Sequence, residues 1–341
     1  MHDLLSMYPD ELRELMTSMG QKAFRGDQIF EWIYKGVNDF DKMTNLPSSL
    51  IARLKETCFI GSLGIQRKLV SSIDGTVKYL FEMADGECVE TVLMRYKHGN
   101  SVCVSTQAGC RMGCSFCAST INGFRRNLEP SEILLQVMTA ARDTGERVSN
   151  IVLMGIGEPL DNYDNVLRFL RIVNLEKGMN IGMRHISLST CGLVDRIDML
   201  AKENLQLTLS VSLHASNDER RKAIMPIAHR WDLDTLLDAC ERYEKQTGRR
   251  ISFEYALISG VNDSDADAAE LGRRLKGTLC HVNLIPVNPV AEKSYQKSDR
   301  ARIASFAKTI ESFGISATVR RKLGSDINAS CGQLRAEHSA K

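Results

Sequence analysis

The segment Cys110-Arg-Met-Gly-Cys-Ser-Phe-Cys sets three thiols, Cys110, Cys114 and Cys117, at tight and unequal intervals. Thiolates are soft ligands suited to iron–sulfur clusters. At this spacing three of them can wrap one face of a cube, and Gly109 and Gly113 let the backbone bend around it. The fourth iron of such a cube would have no protein ligand and would be open to a small molecule. The competing reading, a structural zinc site, needs four closed ligands. No fourth Cys or His lies in the motif, and His98 and Cys103 are the nearest candidates. Met154-Gly-Ile-Gly-Glu-Pro is a second feature, because glycines allow close approach to a ligand and a carboxylate or carbonyl there can hold an ammonium.

Other residues need more context. Lone cysteines usually act as small buried hydrophobes, which suits Cys58, Cys88, Cys191, Cys240 and Cys280. For Cys103, just ahead of the cluster motif, that reading and a chemical one stand side by side. Cys331 fits it poorly, since Ala329-Ser-Cys-Gly-Gln-Leu is polar and glycine-flanked. Glu90, in Val89-Glu-Thr-Val, could face solvent on a strand or act on a substrate.

The chain that must position these groups has 341 residues, 43% hydrophobic and 25% charged, an ordinary globular composition with room for one large α/β domain and an attachment. No apolar run is long enough to span a membrane, and the N-terminus lacks the apolar core of a secretory signal, so a cytoplasmic location is expected. In a reducing compartment ten cysteines argue for metal or chemistry over disulfides. A net charge of +2 makes no case for nucleic acid by itself. Local clusters at Arg125-Arg126, Arg220-Arg221-Lys222, His229-Arg230 and Arg320-Arg321-Lys322 could form a phosphate-binding rim if their loops converge, and the N-terminal helices, with Lys22, Arg25 and Trp32, could add a second nucleic-acid surface.

Apolar spacing predicts N-terminal helices over residues 10–19, 26–34 and 48–57. Strands separated by Asp74-Gly75 and Asp85-Gly86 follow, both strong hairpin signals. From residue 101 the pattern alternates, with strands at 102–105, 151–154, 185–189, 207–213, 251–257 and 282–287. Helices are expected near 131–144, 165–173, 196–202, 233–246, 264–276 and 301–313. Six βα units imply a parallel sheet and, because a closed barrel has eight, an incomplete (β/α)6 barrel. The expected domains are a helical unit at 1–60, a β-hairpin extension at 61–100 carrying Glu90, the partial barrel at 101–315, and a C-terminal strand with a mobile tail at 316–341 carrying Cys331.

A Cys-x3-Cys-x-Phe-Cys loop after the first barrel strand, with a Gly-x-Gly-Glu segment after the second, resembles the radical S-adenosylmethionine superfamily. Within it, Val-Glu-Thr-Val, Cys-Val-Ser-Thr-Gln-Ala-Gly-Cys, Gly-Ile-Gly-Glu-Pro, Ser-Leu-Ser-Thr, Val-Ser-Leu-His-Ala, Asn-Leu-Ile-Pro-Val-Asn-Pro and Ala-Ser-Cys-Gly-Gln-Leu occur in order. Nearly the whole chain thereby resembles the RlmN/Cfr family of RNA methyltransferases. The resemblance implies a [4Fe-4S] cluster on Cys110, Cys114 and Cys117. It also implies two S-adenosylmethionine molecules per turnover, with contacts from Gly157, Glu158, Ser189, Ser212, Leu213, His214 and Asn288. Cys331 would accept a methyl group from the first. A deoxyadenosyl radical from the second would remove a hydrogen from that methyl, and the methylene radical would add to adenine carbon-2. Glu90 would take the carbon-2 proton, and Cys103 would attack Cys331, giving a transient disulfide and releasing methylated RNA. The implied partners are 23S rRNA at the peptidyl-transferase loop, tRNA beside the anticodon, and an electron donor such as flavodoxin or ferredoxin; the protein itself is expected to be a monomer. Pro159 and the wider motif text resemble the carbon-2 group more than enzymes that methylate carbon-8 and confer antibiotic resistance. Two other rivals are a radical activase acting on protein, which needs neither Cys331 nor the N-terminal helices, and an RNA-binding protein with structural zinc.

Overall fold

The computed structural model describes residues 1–330 and Gln333. Cys331 lies outside the described residues. The chain opens with strand β1 (His2–Asp3), helices α1 (Pro9–Ser18), α2 (Phe24–Tyr34) and α3 (Ser48–Thr57), and strand β2 (Cys58–Phe59), which pairs in parallel with β1. A proline at the first position of α1, followed by Asp10 and Glu11, starts the helix where its free N–H groups welcome negative charge. The apolar stripes of these helices, among them Leu12, Met16, Ile29 and Leu54, join the main core. The unit docks through Ser6, whose hydroxyl accepts from the Ser131 N–H at 3.1 Å, and through Arg168, which binds the Ser6 carbonyl and Glu11.

Next come strands β3 (Gly64–Val70), β4 (Val77–Glu82), β5 (Cys88–Tyr96) and β6 (Gly99–Cys103), then a small separate hairpin of β7 (Gln107–Gly109) and β8 (Phe124–Asn127). The remaining elements alternate as α4 (Pro130–Thr144), β9 (Val148–Leu153), α5 (Tyr163–Val173), β10 (Ile186–Thr190), α6 (Val194–Lys202), β11 (Thr208–Ser212), α7 (Asp218–Ile224), α8 (Leu233–Thr247), β12 (Ile251–Leu257), α9 (Asp265–Leu275), β13 (Cys280–Pro286), α10 (Arg300–Ser312) and β14 (Ser316–Val319).

One ten-stranded sheet runs β3-β4-β5-β6-β9-β10-β11-β12-β13-β14. It is antiparallel from β3 to β6 and parallel from β6 to β14. The expected α/β partial barrel is therefore present, with β14 as a seventh parallel strand. The expected hairpin extension at 61–100 is present as β3 to β5, and it joins the barrel sheet through the pairing of β5 with β6. Some small features escaped the sequence reading, the β1–β2 pair among them. The β7–β8 hairpin is only a few residues long, and Asp218-Glu-Arg-Arg-Lys-Ala-Ile of α7 has too much charge to show a stripe.

The two faces of the parallel strands differ. Leu188, Leu209, Val211, Phe253 and Leu284 are buried in the core beneath the helices. Alternating with them are Ser189, Ser210, Ser212, Ser252, Glu254 and Asn283, aligned by register across β10 to β13. A parallel sheet covered on both faces is usually apolar on both. This polar inner face marks the lining of a cavity.

Candidate active site

The loop that carries Cys110, Cys114 and Cys117 follows β6, between β7 and β8. Gly109 has φ +75°, and a Cβ there would lie 1.7 Å from the Gly123 carbonyl oxygen, against which the loop folds back. Gly157 has φ +104°, and its Cβ would meet the Gln107 side chain at 2.6 Å. These glycines are thus required by chain packing on chain, whereas the sequence suggested close approach to a ligand. Gly109→Ala is expected to destabilise the protein by about 2 kcal/mol or more, through strain and displacement of the cluster loop. Chemical denaturation would check this, and an unchanged midpoint would contradict it.

Cys110, Cys114 and Cys117 line one cavity together with Gly157, Glu158, Ser189, Ser212, His214 and Asn288. Leu213 sits behind the wall as a core residue, its N–H donating to the Glu254 carbonyl at 3.0 Å. Burial pushes the Cys110 thiol up to about 12, and burial with the neighbouring thiols pushes Cys114 up as well. Such a trio stays ionised only beside a compensating positive charge, which fits an iron cluster. Among the described residues no three His, Cys, Asp or Glu side chains converge on a point that could hold a single metal ion. His98, a candidate fourth zinc ligand, stacks instead on Tyr96 at 5.1 Å.

The polar wall is held tightly. The Glu158 carboxylate accepts from the backbone N–H of Cys191 at 2.7 Å and of Leu160 at 3.0 Å, and burial raises its pKa. His214 has φ +56°; its Nδ1 accepts from the Ala256 N–H at 2.9 Å and its carbonyl accepts from Asn262 at 2.7 Å. Burial first, then the Arg221 charge, hold its pKa down to about 3. The imidazole is therefore neutral, and with Nδ1 accepting, its proton sits on Nε2 as a donor for a ligand.

Sequence reasoning missed three contributors. Glu254 lines the cavity, accepts from Asn283 at 2.7 Å and faces Arg320 at 3.7 Å, and burial raises its pKa. An acidic residue inside the apolar run Ile251-Ser-Phe-Glu-Tyr-Ala-Leu was the signal. Asn262 is fully buried and fixes the His214 turn; nothing in its loop sequence announced that. Arg221, assigned above to a basic rim, is fully buried and donates to the Cys191 carbonyl at 2.7 Å. Arg220 and Arg126 are also committed, to Asp267 at 2.9 Å and to Glu132 at 2.7 Å. Of the basic clusters, Arg125, Lys222, His229, Arg230, Arg321 and Lys322 are the members left exposed.

Glu90 and Cys103 stand beside this cavity, not in it. Register pairs Leu80 with Glu90, Lys78 with Val92, and Val92 with Cys103. Paired residues and alternate residues share a face, so Lys78, Glu90 and Cys103 lie together on one face of the sheet. The Ser105 hydroxyl donates to the Glu90 carbonyl at 2.7 Å and accepts from the Ile156 N–H at 2.9 Å, which ties β5 to the glycine-rich loop. Cys103 lines a second cavity with Ala329 and Ser330, and the two cavities share Met154, Ile285, Asn288 and Arg320.

Comparison with known proteins agrees with this architecture. Residues 104–272 match the model of the Radical SAM superfamily, and residues 2–60 match the ribosomal RNA large subunit methyltransferase N-terminal domain. The chain is 55% identical over 336 residues, 98% of each chain, to the "Probable dual-specificity RNA methyltransferase RlmN" of Alkaliphilus oremlandii. It is equally similar, over 335 residues, 98% of this chain and 97% of the relative, to the protein so named in Clostridium acetobutylicum. The crystal structure of a radical SAM methyltransferase from Sphaerobacter thermophilus superposes with a TM-score of 0.94 at 46% identity, covering 99% of this chain and 100% of that one. With its N-terminal unit, its three closely spaced cysteines on the first barrel loop and this similarity along its whole length, the chain belongs to the RlmN family of radical S-adenosylmethionine methyltransferases.

Proposed function

We propose that this protein methylates carbon-2 of adenine in RNA, at the peptidyl-transferase loop of 23S rRNA and beside the anticodon of tRNA. The observation that carries the reading is the pair of adjoining cavities. One holds the three cluster thiols with the polar wall, and the other holds Cys103 beside the stem of the tail that bears Cys331. Adenine carbon-2 is a poor nucleophile, and a thiolate is a good one, which explains why a cysteine pair would relay the methyl group.

Cys110, Cys114 and Cys117 would hold the cluster, and the walls formed by Gly157, Glu158, Ser189, Ser212, His214 and Asn288 would hold S-adenosylmethionine. Leu213 would contribute only by backing that wall. When bound, these groups supply the electron and the carbon radical needed to take a hydrogen from the methyl carried by Cys331. The remaining steps fall to the protein's own side chains. The Cys331 methylene radical bonds to carbon-2, Glu90 removes the carbon-2 proton, the one surplus electron would pass to the group held by Cys110, Cys114 and Cys117, and the Cys103 thiolate attacks the Cys331 sulfur. The carbon–sulfur bond breaks with its electron pair going to carbon, which gains a proton, and an S–S bond forms that an external thiol must reduce.

Pro159 lines the cluster cavity, where its fixed torsion stiffens the wall; this supports the carbon-2 reading. The test is nucleoside mass spectrometry of ribosomal and transfer RNA from a methyltransferase-deficient host, with and without this protein. Appearance of 2-methyladenosine is expected, and 8-methyladenosine as the main product would overturn the carbon assignment. Glu90→Gln is expected to accumulate a covalent protein–RNA species on a denaturing gel. Turnover at the wild-type rate would show that Glu90 takes no proton.

A further inference from the structure

The stretch after Lys322 reads in the sequence as a loose tail, yet its described part is seated by specific bonds. The Asp326 carboxylate accepts from the Ser71 hydroxyl at 2.6 Å, the Ser72 N–H at 2.9 Å and the Ser72 hydroxyl at 3.1 Å. In return, Asp74 accepts from the Gly324 N–H at 2.9 Å. Gly324 has φ +57°, and a Cβ there would press on Ala329 and Thr76 within 3 Å. The hairpin turn between β3 and β4 and the stem 324–330 therefore clasp each other through reciprocal acidic caps.

One more bond links this clasp to the chemistry. The Lys78 ammonium, 11% exposed, lies 2.8 Å from the Glu90 carboxylate, itself 5% exposed, and 3.1 Å from the Asn328 carbonyl of the stem. On the same face of the sheet Ala329 packs in a buried cluster with Leu80, Val92 and Cys103. A largely covered ammonium with several donors is well suited to hold two acceptors at a fixed separation.

We infer that Ser71, Ser72, Asp74 and Asp326 form a clasp that seats the tail stem, and that Lys78 is a positioning residue that ties the stem to Glu90. This rests on the proposed function only for its consequence, the alignment of Cys331 with Glu90 and Cys103; the clasp itself is a property of the fold. Removing the clasp is then expected to leave the cluster and the cleavage of S-adenosylmethionine intact, but to uncouple cleavage from RNA methylation.

Two arms test this on the reconstituted holoenzyme. In the first, hydrogen exchange is measured for peptides covering the stem and the cluster loop. Asp326→Ala is expected to speed exchange in the stem about tenfold, the loss of a charge-assisted bond, with the cluster loop unchanged. Unchanged stem exchange overturns the clasp, whatever the enzyme's activity. In the second, deoxyadenosine and methylated adenine are counted together. Lys78→Met is expected to keep deoxyadenosine formation while raising its ratio to product about tenfold, and Lys78→Arg to restore coupling in part. A ratio equal to that of wild type in Lys78→Met overturns the positioning role. If the wild type itself makes no methylated adenine, the proposed function fails, and the exchange arm still decides the clasp.

Discussion

Replacing Cys110, Cys114 or Cys117 by alanine is expected to abolish iron binding and deoxyadenosine formation together. Loss of a mere orienting partner already costs a metal site about 10–100-fold in affinity, and a ligand removed outright costs more. The structure adds a reason for the steepness. The three thiols line one cavity beneath a loop fixed by the Gly109–Gly123 contact, and the Ser115 N–H anchors the loop to the Ile224 carbonyl at 2.9 Å. A substitute ligand could reach the cube only by dislodging that loop. His214 lines the cavity, but its Nδ1 is already engaged by the Ala256 N–H at 2.9 Å. Anaerobic reconstitution with iron analysis and visible absorbance checks the prediction. Full iron stoichiometry in all three variants would contradict the site assignment.

The second large effect separates the two remaining cysteines. Cys103→Ala is expected to trap a covalent protein–RNA adduct, whereas Cys331→Ala gives neither adduct nor product. One thiol carries the methylene and the other resolves it, so their loss stops the reaction on opposite sides of carbon–carbon bond formation. Cys103 is buried in an apolar cluster with Val92 and Ala329, so the alanine variant keeps most of that packing. A denaturing gel followed by nuclease digestion reads the outcome. An adduct in the Cys331 variant would reverse the roles, and absence of an adduct in both would remove the thiol relay from the account.

The large elements were legible because their periods are strong. The alternation of Ile186-Ser-Leu-Ser-Thr, Thr208-Leu-Ser-Val-Ser and Ile251-Ser-Phe-Glu-Tyr-Ala-Leu gives both the strands and, once they are aligned by register, a serine-lined inner face. That Cys110, Cys114 and Cys117 come together was legible because they sit close in sequence, and all three line one cavity. Lys78 was not, because its meaning depends on register. Only the pairing of β4 with β5, set by the Asp85-Gly86 turn, brings it onto the face of Glu90 and Cys103. Arg221 was misread for the same kind of reason, since a run of three basic residues on a short helix does not show which one points inward. The tail stem was read as loose because small polar residues carry no period. Its order comes from partners about 250 positions away in sequence, Ser71, Ser72, Asp74 and Lys78.

The measurement that tests the account most directly follows the hydrogens of the transferred methyl. S-adenosylmethionine labelled with deuterium throughout its methyl group is supplied to the enzyme with unlabelled RNA. Hydrogen abstraction from the Cys331 methyl moves one deuterium to deoxyadenosine. The methylated adenine must then carry two deuteriums and one hydrogen, because the released carbon gains its last hydrogen from outside the methyl group. Mass spectrometry of the nucleoside and of deoxyadenosine reads both at once. A product that keeps all three deuteriums, with unlabelled deoxyadenosine, would show direct methyl transfer and contradict the radical relay through the cysteine pair.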